Sequence, residues 1–208
     1  MNGLVGRIRG LWRKDEPRGI SAKETRARRF LLDMLPKNSI GAEIGVHLGD
    51  FSAHIIDVVA PAELHLIDPW EHLTSPTYRA AWYGGRVKRG QQEMDERHAG
   101  VCARFAEEIE AGRVKVHRGY STDVLEQFPD GYLDWVYIDG NHFYEFVRKD
   151  LELSFRKTKV GGLITGDDYA AGGAWKGGVK RAVDEFPANR PVELLELRNR
   201  QFVFRRRA

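Results

Sequence analysis

Short apolar stretches of strand length alternate with amphipathic stretches of helix length along most of this chain. That alternation allows few folds, because strands that run in the same direction need a crossover, usually a helix, to join them. The spacing predicts a helix over 21–35, opened by Ser21 with Glu24 three residues later and closed by Pro36. A strand over 39–44, a helix from 49 to about 60 and a strand over 63–67 follow. Residues 71–90 read as irregular, 91–111 as one long helix, 113–117 as a strand and 121–128 as a short helix. Strand 133–138, helix 143–157, strand 160–165 and helix 177–186 continue the pattern. Residues 192–197 and 201–205 then read as a hairpin around Arg198, Asn199 and Arg200. A parallel sheet that ends in an antiparallel hairpin differs from a plain dinucleotide-binding half.

The chain has 208 residues, a formal net charge of +3 and 42% hydrophobic residues. These values describe an ordinary globular protein, and no apolar run reaches the ~20 residues of a membrane span. Cys102 is the single cysteine, which rules out an intrachain disulfide or a cysteine zinc cluster and suits a reducing cytoplasm. One domain is expected over 21–208, preceded by a basic segment over 1–20 with Arg7, Arg9, Arg13, Lys14 and Arg18. Leu4, Val5, Ile8, Leu11 and Trp12 recur there at helical spacing. That segment reads either as a membrane-surface helix or as an appendage that packs on its own domain or pairs two subunits into a homodimer. No basic stripe with interleaved aromatics runs through the domain, so a nucleic-acid partner is not expected.

Chemistry concentrates where strands end. Glu43, Ile44, Gly45, Val46, His47, Leu48 and Gly49 form a strand-to-helix turn in which Gly45 and Gly49 let backbone approach a ligand. The pattern is not the G-x-G-x-x-G of a pyrophosphate site. Glu43 would repel phosphates and suit an ammonium group, which favours a cationic cofactor such as S-adenosylmethionine. Asp68, at the end of the second strand, can accept both hydroxyls of a ribose, and Trp70 can cover an adenine face.

Asp139 ends the fourth strand, and Asp167 and Asp168 end the fifth. In open α/β sheets ligands bind outside the carboxyl ends of the strands, so these three carboxylates converge. They repel unless a cation or protons intervene, and oxygen donors suit Mg²⁺ or another divalent cation. His142 lies three positions beyond Asp139 and can take a proton from a substrate hydroxyl. Tyr78, Trp82, Tyr83 and Tyr169 are candidate walls for that substrate.

These residues resemble the class I S-adenosylmethionine-dependent methyltransferases, in particular the small bacterial macrocin-type sugar O-methyltransferases and, more distantly, the catechol O-methyltransferases. Three motifs carry the resemblance: Glu43 to Gly49; Ile138-Asp139-Gly140-Asn141-His142-Phe143-Tyr144 with Val147 and Asp150; and Gly161 to Tyr169. It implies an α/β Rossmann-like fold with a mostly parallel seven-stranded sheet and a C-terminal antiparallel hairpin. It implies that Glu43, Gly45, Gly49 and Asp68 hold the cofactor, with Ser121 near its adenine and Asp139 at the cofactor–metal boundary. The family's metal acids fall on Asp139, Asp167 and Asp168, and its base on His142. The expected reaction is methyl transfer to a hydroxyl of a small-molecule acceptor. The segment 71–90 matches no part of the family pattern. The rival readings are a metal-independent methyltransferase of the same fold, an NAD-dependent oxidoreductase and a non-catalytic module.

Overall fold

The computed structural model describes residues 22–79, 83, 86–172 and 175–208. The basic segment 1–20, the Ser21 cap and Trp82 lie outside the described residues. Helix α1 spans Ala22–Met34, β1 Ile40–Ile44, α2 Asp50–Val59 and β2 Glu63–Asp68. A 3₁₀ turn at Pro76–Tyr78 lies between β2 and the next helix. Then come α3 Gln91–Arg104, α4 Ala106–Glu110, β3 Val114–Arg118, α5 Ser121–Glu126, β4 Leu133–Ile138, α6 Tyr144–Lys157 and β5 Thr158–Gly166. Helix α7 Gly178–Asn189 and strands β6 Val192–Arg198 and β7 Gln201–Arg206 complete the chain.

The sheet has seven strands in the order β3-β2-β1-β4-β5-β7-β6. All neighbours are parallel except β7, which runs antiparallel to both β5 and β6. The expected fold class is therefore the observed one. One element differs: the long helix expected over 91–111 is two helices, broken at Phe105 with φ −108°. Phe105 is 4% exposed and joins the core beside Val101 and Phe51, and seating its ring there turns the helix axis.

Period-two alternation sorts the strand residues onto two faces. Leu64, Leu66, Trp135, Tyr137, Leu163 and Val203 pack against α1, α2 and α3 through Leu31, Phe51, Ile55 and Met94. Ala42, Ile44, Ile67, Val136, Ile138 and Ile164 pack against α5, α6 and α7 through Leu125, Val147, Leu151 and Val183. Both faces are covered, which is why β4 and the end of β5 read as nearly continuous apolar runs. Gly41 has a steric reason: a Cβ there would lie 2.0 Å from the Trp135 ring, whose indole N–H donates to Ser39 Oγ at 2.8 Å.

A polar cluster sits at the opposite end of the sheet from the strand exits. His65 is 3% exposed; its Nδ1 meets His117 Nε2 at 2.9 Å and its Nε2 meets Glu63 at 2.7 Å. Glu63 also takes Lys115 at 2.6 Å and the Tyr132 hydroxyl. Burial, with His117 adding to it, pulls the His65 imidazole down to about 4. An unfolded histidine titrates near 6.5, so the unfolded chain binds this proton first. The stability from neutral His65 is complete above about pH 6.5 and is lost as pH falls towards 4, on the order of 3 kcal/mol in all. In denaturation titrations across this range, His65→Gln is expected to remove most of that slope. An equal slope in the variant would contradict the assignment.

Candidate active site

Strand register brings the site together. Ile44 pairs with both Ile67 and Ile138, and Ile138 pairs with Gly166. The next residue of each strand, or the strand's last, is therefore Asp68, Gly45, Asp139 and Asp167, side by side along one edge of the sheet. The chain reverses its strand order between β1 and β4, which is where α/β sheets bind ligands.

On the β1–β2 side the turn is fixed by Asp68. Its Oδ2 accepts the N–H of Val46 at 2.9 Å and of His47 at 3.0 Å, and its Oδ1 accepts the N–H of Trp70 at 2.7 Å and the Tyr83 hydroxyl. Burial pushes Asp68 up, and these donors oppose it. Gly45 has φ +90°, and its N–H donates to the Ile67 carbonyl at 2.9 Å. A Cβ at Gly45 would lie 2.1 Å from the Asp139 carbonyl oxygen. Gly49 precedes α2 with φ +76°. Glu43 is 1% exposed, accepts the Ser52 hydroxyl at 2.5 Å, and is pushed up to about 8 by burial. Trp70 is fully buried in the core, and its indole N–H donates to the His47 carbonyl at 2.9 Å. Ser121 opens α5 and donates to Asp150 at 2.5 Å.

On the β4–β5 side the carboxylates are shared out among cations. His142 Nε2 stands 3.4 Å from Asp139 Oδ1, and its Nδ1 stands 3.2 Å from Asp168 Oδ2. Neither contact has hydrogen-bond geometry, so both buried ring nitrogens lack a hydrogen-bond partner. Burial pulls the imidazole down, but Asp139, Asp168 and Asp167 outweigh it and hold the group above its ordinary value. Asp167 is 8% exposed, and burial beside Asp139 pushes it up to about 7. It accepts the Gln201 side-chain amide and the Asp168 N–H, the latter at 2.6 Å, and pairs with Arg28. Arg28 also reaches Asp139 at 3.2 Å. Asp168, at φ +59°, pairs with Arg200. Among the described residues, Asp139, His142 and Asp168 present ligand atoms within 4.8 Å of one another, and Asp167 stands outside that group.

A cavity of about 420 Å³ opens beside His142, lined also by Asp168, Trp175, Gly177, Val179 and Arg200. Trp175 meets the rings of His142 and Phe143 edge-on at 5.6 and 5.0 Å. Tyr78 belongs to the same aromatic group, 6.5 Å from Trp175, and its hydroxyl accepts Asn141 at 2.8 Å. Of the other candidate walls, Tyr83 serves Asp68 and Tyr169 donates to Asp184 at 2.7 Å. Sequence reasoning missed Arg28, Trp175, Arg200 and Gln201. For Arg200 and Gln201 a signal existed: an antiparallel β7 beside β5 must start at the exit of β5, which puts the hairpin turn at the acidic mouth.

An open, mostly parallel sheet with an acid-anchored glycine turn and an acidic mouth, finished by an antiparallel hairpin, defines the class I S-adenosylmethionine-dependent methyltransferases. The profile described as "Methyltransferase domain" matches residues 42–169, more than half of the chain, and the protein belongs to that family. Among solved structures it is similar to the O-methyltransferase NovP, with 22% identity, 89% of this chain and 81% of that chain covered, and a TM-score of 0.59. It is similar to the O-methyltransferase TomG from Streptomyces achromogenes, involved in tomaymycin synthesis and solved with S-adenosylmethionine, with 16% identity, 91% and 82% coverage and a TM-score of 0.59. An O-methyltransferase from Bacillus cereus shares 14% identity over 89% and 81% of the two chains, with a TM-score of 0.58. At these identities the likeness is one of fold. No curated protein matches the chain. No helix of the described residues is long and apolar enough to cross a membrane.

Proposed function

We propose that this methyltransferase acts on a hydroxyl of a small-molecule acceptor, with His142 as the general base. The observation that carries this reading is the setting of His142. Its two ring nitrogens are buried, lack hydrogen-bond partners and face carboxylates, and the ring borders a cavity of about 420 Å³ at the strand exits. An imidazole in that setting can accept a proton, and Asp139 and Asp168 stabilise the imidazolium that results.

The glycine turn, braced by Asp68, and Glu43 would hold S-adenosylmethionine at the β1–β4 reversal, where it would supply an activated methyl group. The acceptor oxygen gives its proton to His142 and forms the new O–C bond in line with the breaking C–S bond. The sulfur keeps the electron pair and leaves as the neutral thioether of S-adenosylhomocysteine. Trp175 and Tyr78 flank the acceptor as apolar walls.

The donor set at the mouth suits a divalent cation: Asp139, Asp168 and His142 present ligand atoms within 4.8 Å of one another, His142 has no hydrogen-bond partner on either nitrogen, and Asp167 stands beside Asp139. Asp139, Asp167 and Asp168 would hold Mg²⁺ or a similar ion, which would lower the pKa of an acceptor hydroxyl. The cytoplasm is the proposed location, and a homodimer the proposed assembly. Transfer of label from methyl-labelled S-adenosylmethionine to a panel of polyhydroxylated acceptors tests the function. Label in an ether, lost on adding EDTA, is the expected outcome. Label only in amines would overturn the hydroxyl reading, and transfer indifferent to EDTA would overturn the cation.

A further inference from the structure

We infer that Arg28 is a built-in cation that occupies the place of a divalent ion between Asp139 and Asp167, so that metal and guanidinium compete for the same two carboxylates. This rests on the metal-assisted reading of the site. Arg28 comes from α1, far from either acid in sequence, and its two terminal nitrogens divide between them: one to Asp139 at 3.2 Å, the other to Asp167. The guanidinium carbon also lies 5.0 Å from the Phe51 ring centre and 6.0 Å from that of Tyr137. Its side chain is 15% exposed.

The helix that carries it is independently docked. Leu31, Leu32 and Leu35 are buried in the core, Asn199 donates to the Ala27 carbonyl at 3.0 Å, and Arg198 lies over Phe30. The backbone of α1 therefore stays in place whether or not Arg28 keeps its ion pairs. With the guanidinium present, Asp167 is turned towards it and towards Gln201, which separates Asp167 from the Asp139–His142–Asp168 group. When a divalent ion binds Asp139 and Asp167, the side chain must swing out. Arg28 thereby sets how much metal is needed to load the site. It is a positioning residue, which acts through Asp139 and Asp167.

The test is Mn²⁺ binding, followed by the free-ion electron paramagnetic resonance signal, with S-adenosylmethionine binding measured on the same samples. Arg28→Met is expected to bind Mn²⁺ at least about tenfold more tightly than the unaltered chain. Arg28→Lys, with a compact ammonium in place of the fork, is expected to fall between them and serves if the methionine variant does not fold. Arg29→Met, on the exposed side of the same helix and paired with Asp33 at 2.8 Å, is expected to change nothing. Equal or weaker Mn²⁺ binding in the Arg28 variants would overturn the competition, and so would absence of Mn²⁺ binding in every protein. S-adenosylmethionine binding in those samples shows whether the methyltransferase reading stands regardless. A merely structural Arg28 would lower thermal stability without tightening Mn²⁺.

Discussion

Replacing His142 by alanine is expected to lower methyl transfer about 10²–10⁴-fold, the range set by losing a positioned general base, with S-adenosylmethionine affinity within about twofold of the unaltered chain. The separation of the two effects follows from placement. His142 lies between Asp139 and Asp168 and borders the 420 Å³ cavity, whereas the glycine turn is tied to Asp68 on the other side of the strand reversal. Removing the imidazole also removes a partial positive charge from between two acids, so some loss could come from repulsion. His142→Asn keeps a polar neutral side chain at the same place and separates the two causes. If it restores stability but not turnover, the lost function is proton acceptance. Unchanged turnover in either variant, measured with saturating methyl donor, would contradict the base assignment.

The second large effect belongs to Gly45. Its φ of +90° is strained for any residue with a side chain, and an added Cβ would sit 2.1 Å from the Asp139 carbonyl oxygen and 2.6 Å from its carbonyl carbon. Those atoms are backbone of β4's exit and cannot rotate away. Gly45→Ala is therefore expected to cost about 3 kcal/mol of stability and to weaken S-adenosylmethionine binding at least about a hundredfold, because the turn and Asp139 must separate. Gly49→Ala is the informative comparison. At φ +76° it is strained as well, but its Cβ would meet the Phe105 ring at 2.8 Å, a side chain that can yield. A smaller loss is expected there. Chemical denaturation together with cofactor titration reads both, and equal losses in the two variants would contradict the close approach of the turn to β4.

Much of this site was legible because its acids follow apolar runs directly. Asp68, Asp139 and Asp167 each stand at a strand's carboxyl end, and α/β topology then brings them to one edge whatever the intervening sequence. Residues 133–138 were legible to the residue, since both faces of β4 are buried and the run has clear limits. The break at Phe105 was not. Local periodicity continues through it, and only the position of the core draws that ring inward. Trp70 shows the same limit: next to an acid at a strand exit it reads as a cover for a base, yet its backbone turns to φ +41° and its ring lies wholly in the core. Arg28 had no local signal at all. It is one arginine among several on α1, and its partners are set by the order of strands β1, β4 and β5 rather than by anything nearby in the chain.

Arg28 pairs with Asp139 and Asp167 and Arg200 with Asp168, so under the proposed competition a divalent cation is expected to bind the unaltered chain more weakly than the Arg28 variants.

We propose that the turn from Glu43 to Gly49, braced by Asp68, is the site for S-adenosylmethionine. Calorimetric titration of the whole chain with S-adenosylmethionine tests it most directly, run in Mg²⁺ and again in EDTA, with NADH as the control. A saturable isotherm with S-adenosylmethionine and none with NADH is expected. No heat with S-adenosylmethionine under either condition, or binding of NADH in its place, would contradict it.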